Sequence, residues 1–160
     1  EQKYIAMGAD GTYYLPTVVD FEAAKEIHAA QTVSAMEALF NRAPNGPDNP
    51  ERLKRLFGKE AYQKAKQFLN AQDPEFREKD LHQKVEVGSI QVLKVRDHSV
   101  LTGAEGQIIR TGFFRGKPVT EVLEVKAQFK FVLNPDMTKN GRYPTVAVVF
   151  DIETKIAAKT

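Results

Sequence analysis

The sequence has 160 residues, 42% of them hydrophobic and 28% charged, and its formal net charge is +2. This composition is typical of one soluble globular domain and excludes a disordered chain. The absence of cysteine excludes disulfides, thiolate metal sites and cysteine nucleophiles. With so small a net charge, we expect no direct nucleic-acid binding unless a local basic patch provides it. No apolar stretch approaches the ~18 residues that a membrane-spanning helix needs.

Residues 1–18 are predicted to form a short entrance ribbon, because two β-prone runs flank Asp10 and Gly11. An Asp-Gly pair tolerates the positive φ angles of a tight hairpin turn. A main helix is predicted from Thr17 to Asn41, with Asp20 as its N-terminal cap. Its apolar residues recur at spacings of four and three, and we expect this stripe to face the core: Ala29, Val33, Met36 and Phe40.

Further helices are predicted in the rest of the segment 19–80. They follow a loop from Arg42 to Pro50, where three prolines, a glycine and two asparagines end the main helix. Pro50 suits the first position of a helix, and Gly58 separates this helical piece from the next. Asp73-Pro74 predicts the start of a short last turn.

The segment 81–157 is predicted to form an antiparallel sheet, because its apolar and polar residues alternate. The strands are expected from His82 onward with a β-bulge at Gly88-Ser89, from Ser99 to Phe114, from Val119 to Leu133, and from Thr145 onward. A run of helices followed by a run of strands indicates an α+β fold, with N-terminal helices packed on a curved antiparallel sheet. The whole chain, 1–160, is expected to be a single domain.

Residues that would identify a metal site or a catalytic centre are mostly missing. The three histidines, His28, His82 and His98, lie on different predicted elements, and no two have the spacing of metal ligands. The run from Asp136 to Gly141 matches the start of a calcium loop, but Ala147 stands where such a loop needs a glutamate. We therefore predict no bound metal, no cofactor and no catalytic residues.

An α+β roll can also enclose a conical pocket between its sheet and its helices. A small-molecule-binding protein, or an enzyme of the isomerase or dehydratase type, could use such a pocket. The enzyme would need an Asp or Glu base facing a Tyr or an acid. The candidates for these roles are scattered along the sequence: Tyr62, Glu105, Tyr143 and Asp151. A pocket protein of this kind is kept as the alternative function.

Six basic residues lie between Arg52 and Lys66, against a single acid, Glu60. Four of them, Arg52, Arg55, Lys59 and Lys66, fall close to one helical stripe, which predicts a basic ridge on the surface. A solvated helix face would explain the ridge, and so would a contact with an acidic protein or with anionic lipid headgroups. Nucleic acid is the least favoured partner, because no aromatic residues interleave for base stacking.

Two stretches of the chain, Tyr4 to Pro16 and Leu133 to Phe150, resemble segments of a known family. The family comprises the periplasmic domains of inner-membrane scaffold proteins of type IV secretion and conjugation machines, the DotI and TraE type. The first stretch is similar to the segment after the membrane helix in the DotI branch. The second is similar to the family's Asn-Pro-x-Gly turn and final strand, with a longer gap between Pro135 and Gly141. The resemblance implies a nuclear-transport-factor-2-like, or cystatin-like, roll.

The resemblance also implies a non-enzymatic assembly module of a type IV secretion or conjugative transfer channel, which self-associates and binds other channel subunits. It implies that an upstream helix anchors the protein in the bacterial inner membrane. The domain would face the periplasm, or the cell exterior in a Gram-positive organism. The expected partner-binding residues are Arg52, Arg55 and Lys59 on the basic ridge, and Asn134, Pro135, Arg142 and Tyr143 around the late turn.

Overall fold

The computed structural model describes residues 24–135 and 143–159, together with two short strand pieces at 6–7 and 13–14. The described strands are β1 (Ala6–Met7), β2 (Tyr13–Tyr14), β3 (Arg42–Ala43), β4 (Gly46–Pro47), β5 (His82–Arg96), β6 (Ser99–Phe114), β7 (Lys117–Leu133) and β8 (Thr145–Lys159). The described helices are α1 (Lys25–Phe40), α2 (Pro50–Leu56) and α3 (Lys59–Glu78).

Six strands form one antiparallel sheet in the order β4-β3-β5-β6-β7-β8. Its four long strands, β5 to β8, follow one another both in the chain and in the sheet, so they form a meander. The sheet is strongly curled into a half-barrel. The predicted α+β class, with helices before a curved antiparallel sheet, is confirmed.

The inward face of the sheet has the residues that strand alternation predicts. In β7 every second residue is buried, and these residues contribute to one hydrophobic core: Leu123, Val125, Ala127, Phe129 and Phe131. The residues between them are exposed: Glu124, Lys126, Gln128 and Lys130. One face of the sheet therefore carries the core and the other carries the charges. The bulge predicted at Gly88-Ser89 is present, and a second one follows between Val92 and Lys94.

The buried face of α1 differs from the predicted stripe. Met36 and Phe40 are buried as predicted, but the two upstream members are only half-buried: Ala29 and Val33. His28 and Thr32 are buried instead. The hydroxyl of Thr32 can lie in the core because it is hydrogen-bonded to the carbonyl oxygen of His28 and to the hydroxyl of Thr102, each at 2.8 Å. A pattern of apolar residues cannot reveal such a satisfied polar group.

Two segments of the N-terminal half correct the sequence prediction. Part of the predicted loop after α1 forms β3 and β4, and pairing of Arg42 with Gln83 joins β3 to the sheet. The turn predicted at Asp73-Pro74 is not separate, because α3 continues through Pro74 to Glu78. The last turn of α3 is held by Phe76, which is fully buried. Its burial offsets the backbone hydrogen bond that a proline inside a helix removes.

The N-terminal ribbon is confirmed in its pairing, since Ala6 of β1 lies opposite Tyr14 of β2. The predicted Asp10-Gly11 turn and the Asp20 cap lie outside the described residues. So do Asp136 to Gly141, the run compared with a calcium loop. Among the helices that the structure describes, none has both the length and the apolar character needed to cross a membrane.

Candidate functional site

Aromatic rings pack together on the concave face of the sheet, near the C-terminal end of β7. Phe57, between α2 and α3, lies over Phe129 and Phe150, with ring centroids 6.3 and 5.6 Å away. Phe129 also contacts Phe131, at a centroid distance of 5.9 Å. All four side chains are buried. These four residues are referred to below as the aromatic cluster, and all of them belong to the hydrophobic core.

Of the candidates for acid-base chemistry, Glu105 and Asp151 line one cavity, but neither Tyr62 nor Tyr143 lines it. Glu105 lies on the outer face of the sheet, where its carboxylate is 3.4 Å from the ammonium of Lys126. Asp151 is exposed at the edge of β8, and Tyr62 is half-buried on α3. Within the described parts of the chain, no group of three His, Asp or Glu side chains could hold a metal ion. The three histidines also lie apart, on α1, at the start of β5 and just after its end.

A buried polar cluster lies near the opposite end of β7. Its centre is Arg42, which is 1% exposed. The guanidinium of Arg42 donates to a carboxylate oxygen of Asp73 at 2.7 Å and to the carbonyl oxygen of Leu69 at 2.9 Å. It also lies 4.0 Å from the centroid of the Phe76 ring. All three nitrogens of the guanidinium thus have an acceptor, since Nε also donates to the carbonyl oxygen of Ala43 at 3.5 Å, and a buried charge requires such partners.

Arg110 of β6 completes the polar cluster. It lies over the same Phe76 ring, at 5.3 Å from the centroid, and its Nε donates to the side-chain oxygen of Gln83 at 2.7 Å. Its guanidinium is 3.5 Å from the buried carboxylate of Glu121. Gln83 in turn donates to the carbonyl oxygen of Phe40 at 2.7 Å. The cluster joins α3 to four strands, and its groups are engaged with one another, which indicates a structural role.

Lys79 lies next to this cluster, at the end of α3. Its Nζ donates to the carboxylate of Glu75 at 2.9 Å. This hydrogen bond raises the pKa of Lys79, and the charges of Glu75, Glu121 and Glu78 raise it further, while burial acts in the opposite direction. The shift favours the charged form of Lys79 and fits a structural ion pair.

The predicted basic ridge does not lie on one helix. Arg52 and Arg55 belong to α2, whereas Lys59 begins α3. Gly58 separates the two helices, and its N–H donates to the carbonyl oxygen of Ala147 in β8 at 2.8 Å. The prediction that these basic residues form one continuous helical stripe is therefore wrong.

The basic residues of the ridge differ in how strongly they are compensated. Arg52 is half-buried and lies 3.4 Å from the carboxylate of Glu37. Arg55 is exposed and only loosely paired, at 3.7 Å from Glu51 on the same helix. Lys59 is exposed and has no ion pair within the described residues. Arg55 and Lys59 thus have the charge and the exposure that a partner could use.

Lys64, one of the six basic residues of this segment, is committed to the sheet. Its Nζ donates to the carbonyl oxygen of Phe150 at 2.6 Å and lies 4.5 Å from the centroid of the Phe150 ring. It is also 3.8 Å from the carboxylate of Asp151. Lys66 lies 5.6 Å from the ring of Tyr62. Lys64 therefore satisfies a carbonyl group of β8 that points away from β7.

The late turn contains one residue that the sequence places wrongly. Asn134, expected on the surface, is 8% exposed. Its side-chain amide donates to the carbonyl oxygen of Tyr143 at 2.9 Å, and its N–H donates to that of Pro144 at 3.1 Å. Asn134 thus closes the base of the turn. Pro135 is exposed, Tyr143 is half-buried, and Arg142 lies outside the described residues.

The structure brings the two predicted surfaces close together. Gly58, just before Lys59, is bonded to Ala147, and Tyr143 precedes Ala147 by four residues. Four residues span at most about 14 Å of extended chain. Arg55 and Lys59 are exposed and flank the contact of Gly58 with β8, and we call these two residues the α2–β8 surface. Sequence spacing alone cannot reveal it, because the contact joins distant parts of the chain.

Comparisons with known proteins give likeness in structure only. No protein-family model matches the sequence, and no curated protein matches it. CagV of Helicobacter pylori, a VirB8 homologue of a type IV secretion system, has a TM-score of 0.60 at 12% identity, over 83% of this chain and 99% of CagV. An IcmL-like type IV secretion protein of Legionella pneumophila has a TM-score of 0.57 at 10% identity, over 84% of this chain and 94% of that one.

The fold is not restricted to secretion proteins. The intermembrane-space region of the chloroplast protein ARC6 has a TM-score of 0.50 at 12% identity, over 88% of this chain and 100% of that region. At such identities the comparisons show a common fold. This fold is the nuclear-transport-factor-2-like roll, which the resemblance in sequence implied.

Proposed function

We propose that this chain is a non-enzymatic component of a bacterial type IV secretion or conjugative transfer channel, which binds other channel subunits and itself through its surface. The observation that carries the proposal is the filled concave face. Because the buried aromatic cluster packs this part of the concave face, we place the binding function on the outer surface. The choice of machine is an analogy of fold with CagV and the IcmL-like protein, both of type IV secretion systems.

In this proposal the domain faces the periplasm, or the cell exterior in a Gram-positive organism, and an upstream helix tethers it to the inner membrane. Tethering raises the effective concentration of the partners, so each contact needs little intrinsic affinity. Small, polar and exposed contact surfaces are then sufficient. The α2–β8 surface is of this kind.

Five of the seven expected partner-binding residues fall into two groups. Arg55, Lys59 and Pro135 are exposed and have the freedom to meet a partner. Arg52 and Asn134 are engaged within the domain, with Glu37 and across the late turn. We therefore assign partner binding first to Arg55 and Lys59, with Tyr143 and Arg142 as the next candidates.

Co-purification of channel subunits with the full-length protein tests the proposal. The double variant Arg55→Glu/Lys59→Glu should recover fewer subunits than the wild type, and added salt should reduce recovery by the wild type, since screening weakens exposed charge pairs. Its melting temperature should hardly change, because surface charges contribute only about 0–1 kcal/mol to folding. Lys94→Glu/Lys117→Glu, on β5 and at the start of β7, is the matched control with the same change of charge.

The outcomes separate the function from the surface. If Arg55→Glu/Lys59→Glu recovers as many channel subunits as the wild type, the two basic residues are not part of the interface. Equal losses in both double variants would indicate a general effect of charge. Failure of the wild-type protein to recover any channel subunit would show that the proposed function is wrong.

A further inference from the structure

The outer edge of β8 is covered in its first half only. Among the described residues, β8 pairs with β7 and with no other long strand. Near its start, Ala147 accepts a hydrogen bond from the N–H of Gly58, and Phe150 accepts one from Lys64. From Ile152 onward, the described residues provide no further hydrogen bond to this edge. A free strand edge of this kind is a template for pairing with another strand.

The direction of the free backbone groups follows from Lys64. In an antiparallel strand the N–H and C=O of one residue point to the same side, and every second residue repeats that direction. The carbonyl of Phe150 points away from β7, because it accepts from Lys64. The register with β7 is regular between Val149 and Ile156. Three further residues therefore direct both groups away from β7: Ile152, Thr154 and Ile156.

The side chains of this edge are complementary to themselves. We propose that the edge pairs antiparallel with the same edge of a second copy of this chain, about a two-fold axis beside Thr154. In this register Glu153 faces the partner subunit's Lys155, and Ile152 faces the partner subunit's Ile156. Pairs of opposite charge and pairs of branched apolar residues both stabilise antiparallel strands. A two-fold contact requires a surface of this self-complementary kind.

The outer face of the sheet continues the charge pattern across the joint. Glu105 lies opposite Lys126, at 3.4 Å, and Lys126 lies opposite Glu153. The partner subunit's Lys155 would come next, followed by the partner subunit's Glu124, which is its neighbour in register. The sign of the charge thus alternates along the whole row. No like charges meet where the two sheets join.

The inner face supplies an apolar reason for the pairing. Ile156 is 61% exposed although it lies opposite the buried Leu123. In the proposed register, the partner subunit's Ile152 covers Ile156 on its free side. The contact is short, so we expect weak association in solution and stronger association between membrane-tethered copies. It rests on the proposed function for its biological role, because it gives self-association a defined surface.

Charge exchange tests the register. Sedimentation at low ionic strength and protein concentrations up to ~1 mM can detect dissociation constants of that order. We expect a concentration-dependent dimer for the wild type. Glu153→Lys and Lys155→Glu, each alone, should weaken it about tenfold or more, because two attractive cross-strand pairs become repulsive. An equimolar mixture of the two variants should form a dimer again, since opposite charges then face each other in both pairs.

Two outcomes would overturn the proposal. One is a wild-type protein that stays monomeric at the highest concentration. The other is a mixture of Glu153→Lys and Lys155→Glu that associates no better than either variant alone. Lys94→Glu, on β5, is the matched control and should associate like the wild type. Circular dichroism of every variant checks that the fold is retained.

A cysteine on the axis tests the position directly. The chain contains no cysteine, so Thr154→Cys introduces a single thiol. Directly opposite residues in a hydrogen-bonded antiparallel pair have Cα atoms about 5.5 Å apart, within the range of a disulfide. Mild oxidation should therefore link Thr154→Cys into a covalent dimer. Gln91→Cys, exposed on β5, should stay monomeric under the same conditions, and equal cross-linking of both variants would refute the pairing.

The variant Thr154→Pro separates this inference from the proposed function. The N–H of Thr154 points away from β7, so proline removes the free donor and leaves the ladder with β7 intact. We expect a folded monomer that still recovers channel subunits in cells. A dimer as strong as the wild type would contradict edge pairing. If the wild-type protein recovers no channel subunits, the proposed function is contradicted, whereas the dimer measurements remain valid.

Discussion

The two ends of the concave interior are stabilised by different physical effects. The aromatic cluster at Phe129 depends on buried apolar area and ring contacts, which tolerate small changes of shape. The polar cluster at Arg42 depends on matched charges and hydrogen bonds, where the loss of one partner leaves another charge buried. The interior near Phe129 should therefore tolerate substitution better than the interior near Arg42.

The largest effect is expected from Arg42→Met. Methionine keeps an aliphatic chain in the place of the arginine stem, but it has no donor for the Asp73 carboxylate or the Leu69 carbonyl group. Breaking a buried ion pair by removing one partner costs about 3–5 kcal/mol, and we expect a value near the lower limit, since Asp73 is partly exposed. Urea unfolding measures the free energy of unfolding. A loss smaller than that of Phe129→Leu would contradict the difference between the two clusters.

Removing both charges should restore part of this loss. In Arg42→Met/Asp73→Leu no unpaired carboxylate remains, and an apolar pair can replace a buried ion pair with little loss. We expect the double variant to be more stable than Arg42→Met by about 1–2 kcal/mol. A double-mutant cycle measures this coupling. Strictly additive losses would show that the two residues do not act as a pair.

An intermediate effect is expected from Phe129→Leu. The side chain is fully buried, and its loss leaves a small cavity beside Phe57, Phe131 and Phe150. We expect a loss of about 1–2 kcal/mol, below the 3–5 kcal/mol of a complete truncation to alanine. Urea unfolding is again the measurement. A loss equal to that of a full truncation would show that the aromatic cluster cannot relax.

The smallest effect is expected from Glu75→Gln. Because the pKa of Lys79 is raised in the folded state, its contribution to stability is present below the unfolded pKa of about 10.4 and is lost as the pH rises through the folded value. Glu75→Gln should lower stability at neutral pH by about 0–1 kcal/mol, since the pair is partly exposed. The variant should also lose less stability than the wild type at alkaline pH. The free energies of unfolding of both proteins at neutral and strongly alkaline pH measure this difference.

Local patterns predicted the elements whose stability is local in origin. The strand Ser99–Phe114 has the predicted bounds, and the inward face of β7 follows from alternation. The polar cluster was not predictable, because Arg42 and Asp73 lie 31 residues apart and neither spacing nor hydropathy links them. The burial of Thr32 on α1 was missed for a related reason, since apolar patterning cannot recognise a polar group satisfied in the core.

The candidate site was predictable only in part. The residue types of the basic segment indicated a surface patch, and Arg55 and Lys59 are indeed exposed. Their arrangement depends on Gly58, whose bond to Ala147 separates α2 from α3 and brings Lys59 to β8. Likewise, the symmetry of Ile152 to Ile156 is visible in the sequence, but it has meaning only once β8 is known to be an edge strand.

Transfer by the cell is the most direct test of the central claim, that this domain works as part of a secretion or conjugation channel. We expect deletion of its gene in the native host to abolish secretion or conjugative transfer, and the full-length wild type to restore it. Phe129→Leu, which changes only the interior, should restore transfer almost fully, and Arg55→Glu/Lys59→Glu should restore it poorly. Undiminished transfer in the deletion strain would contradict the claim.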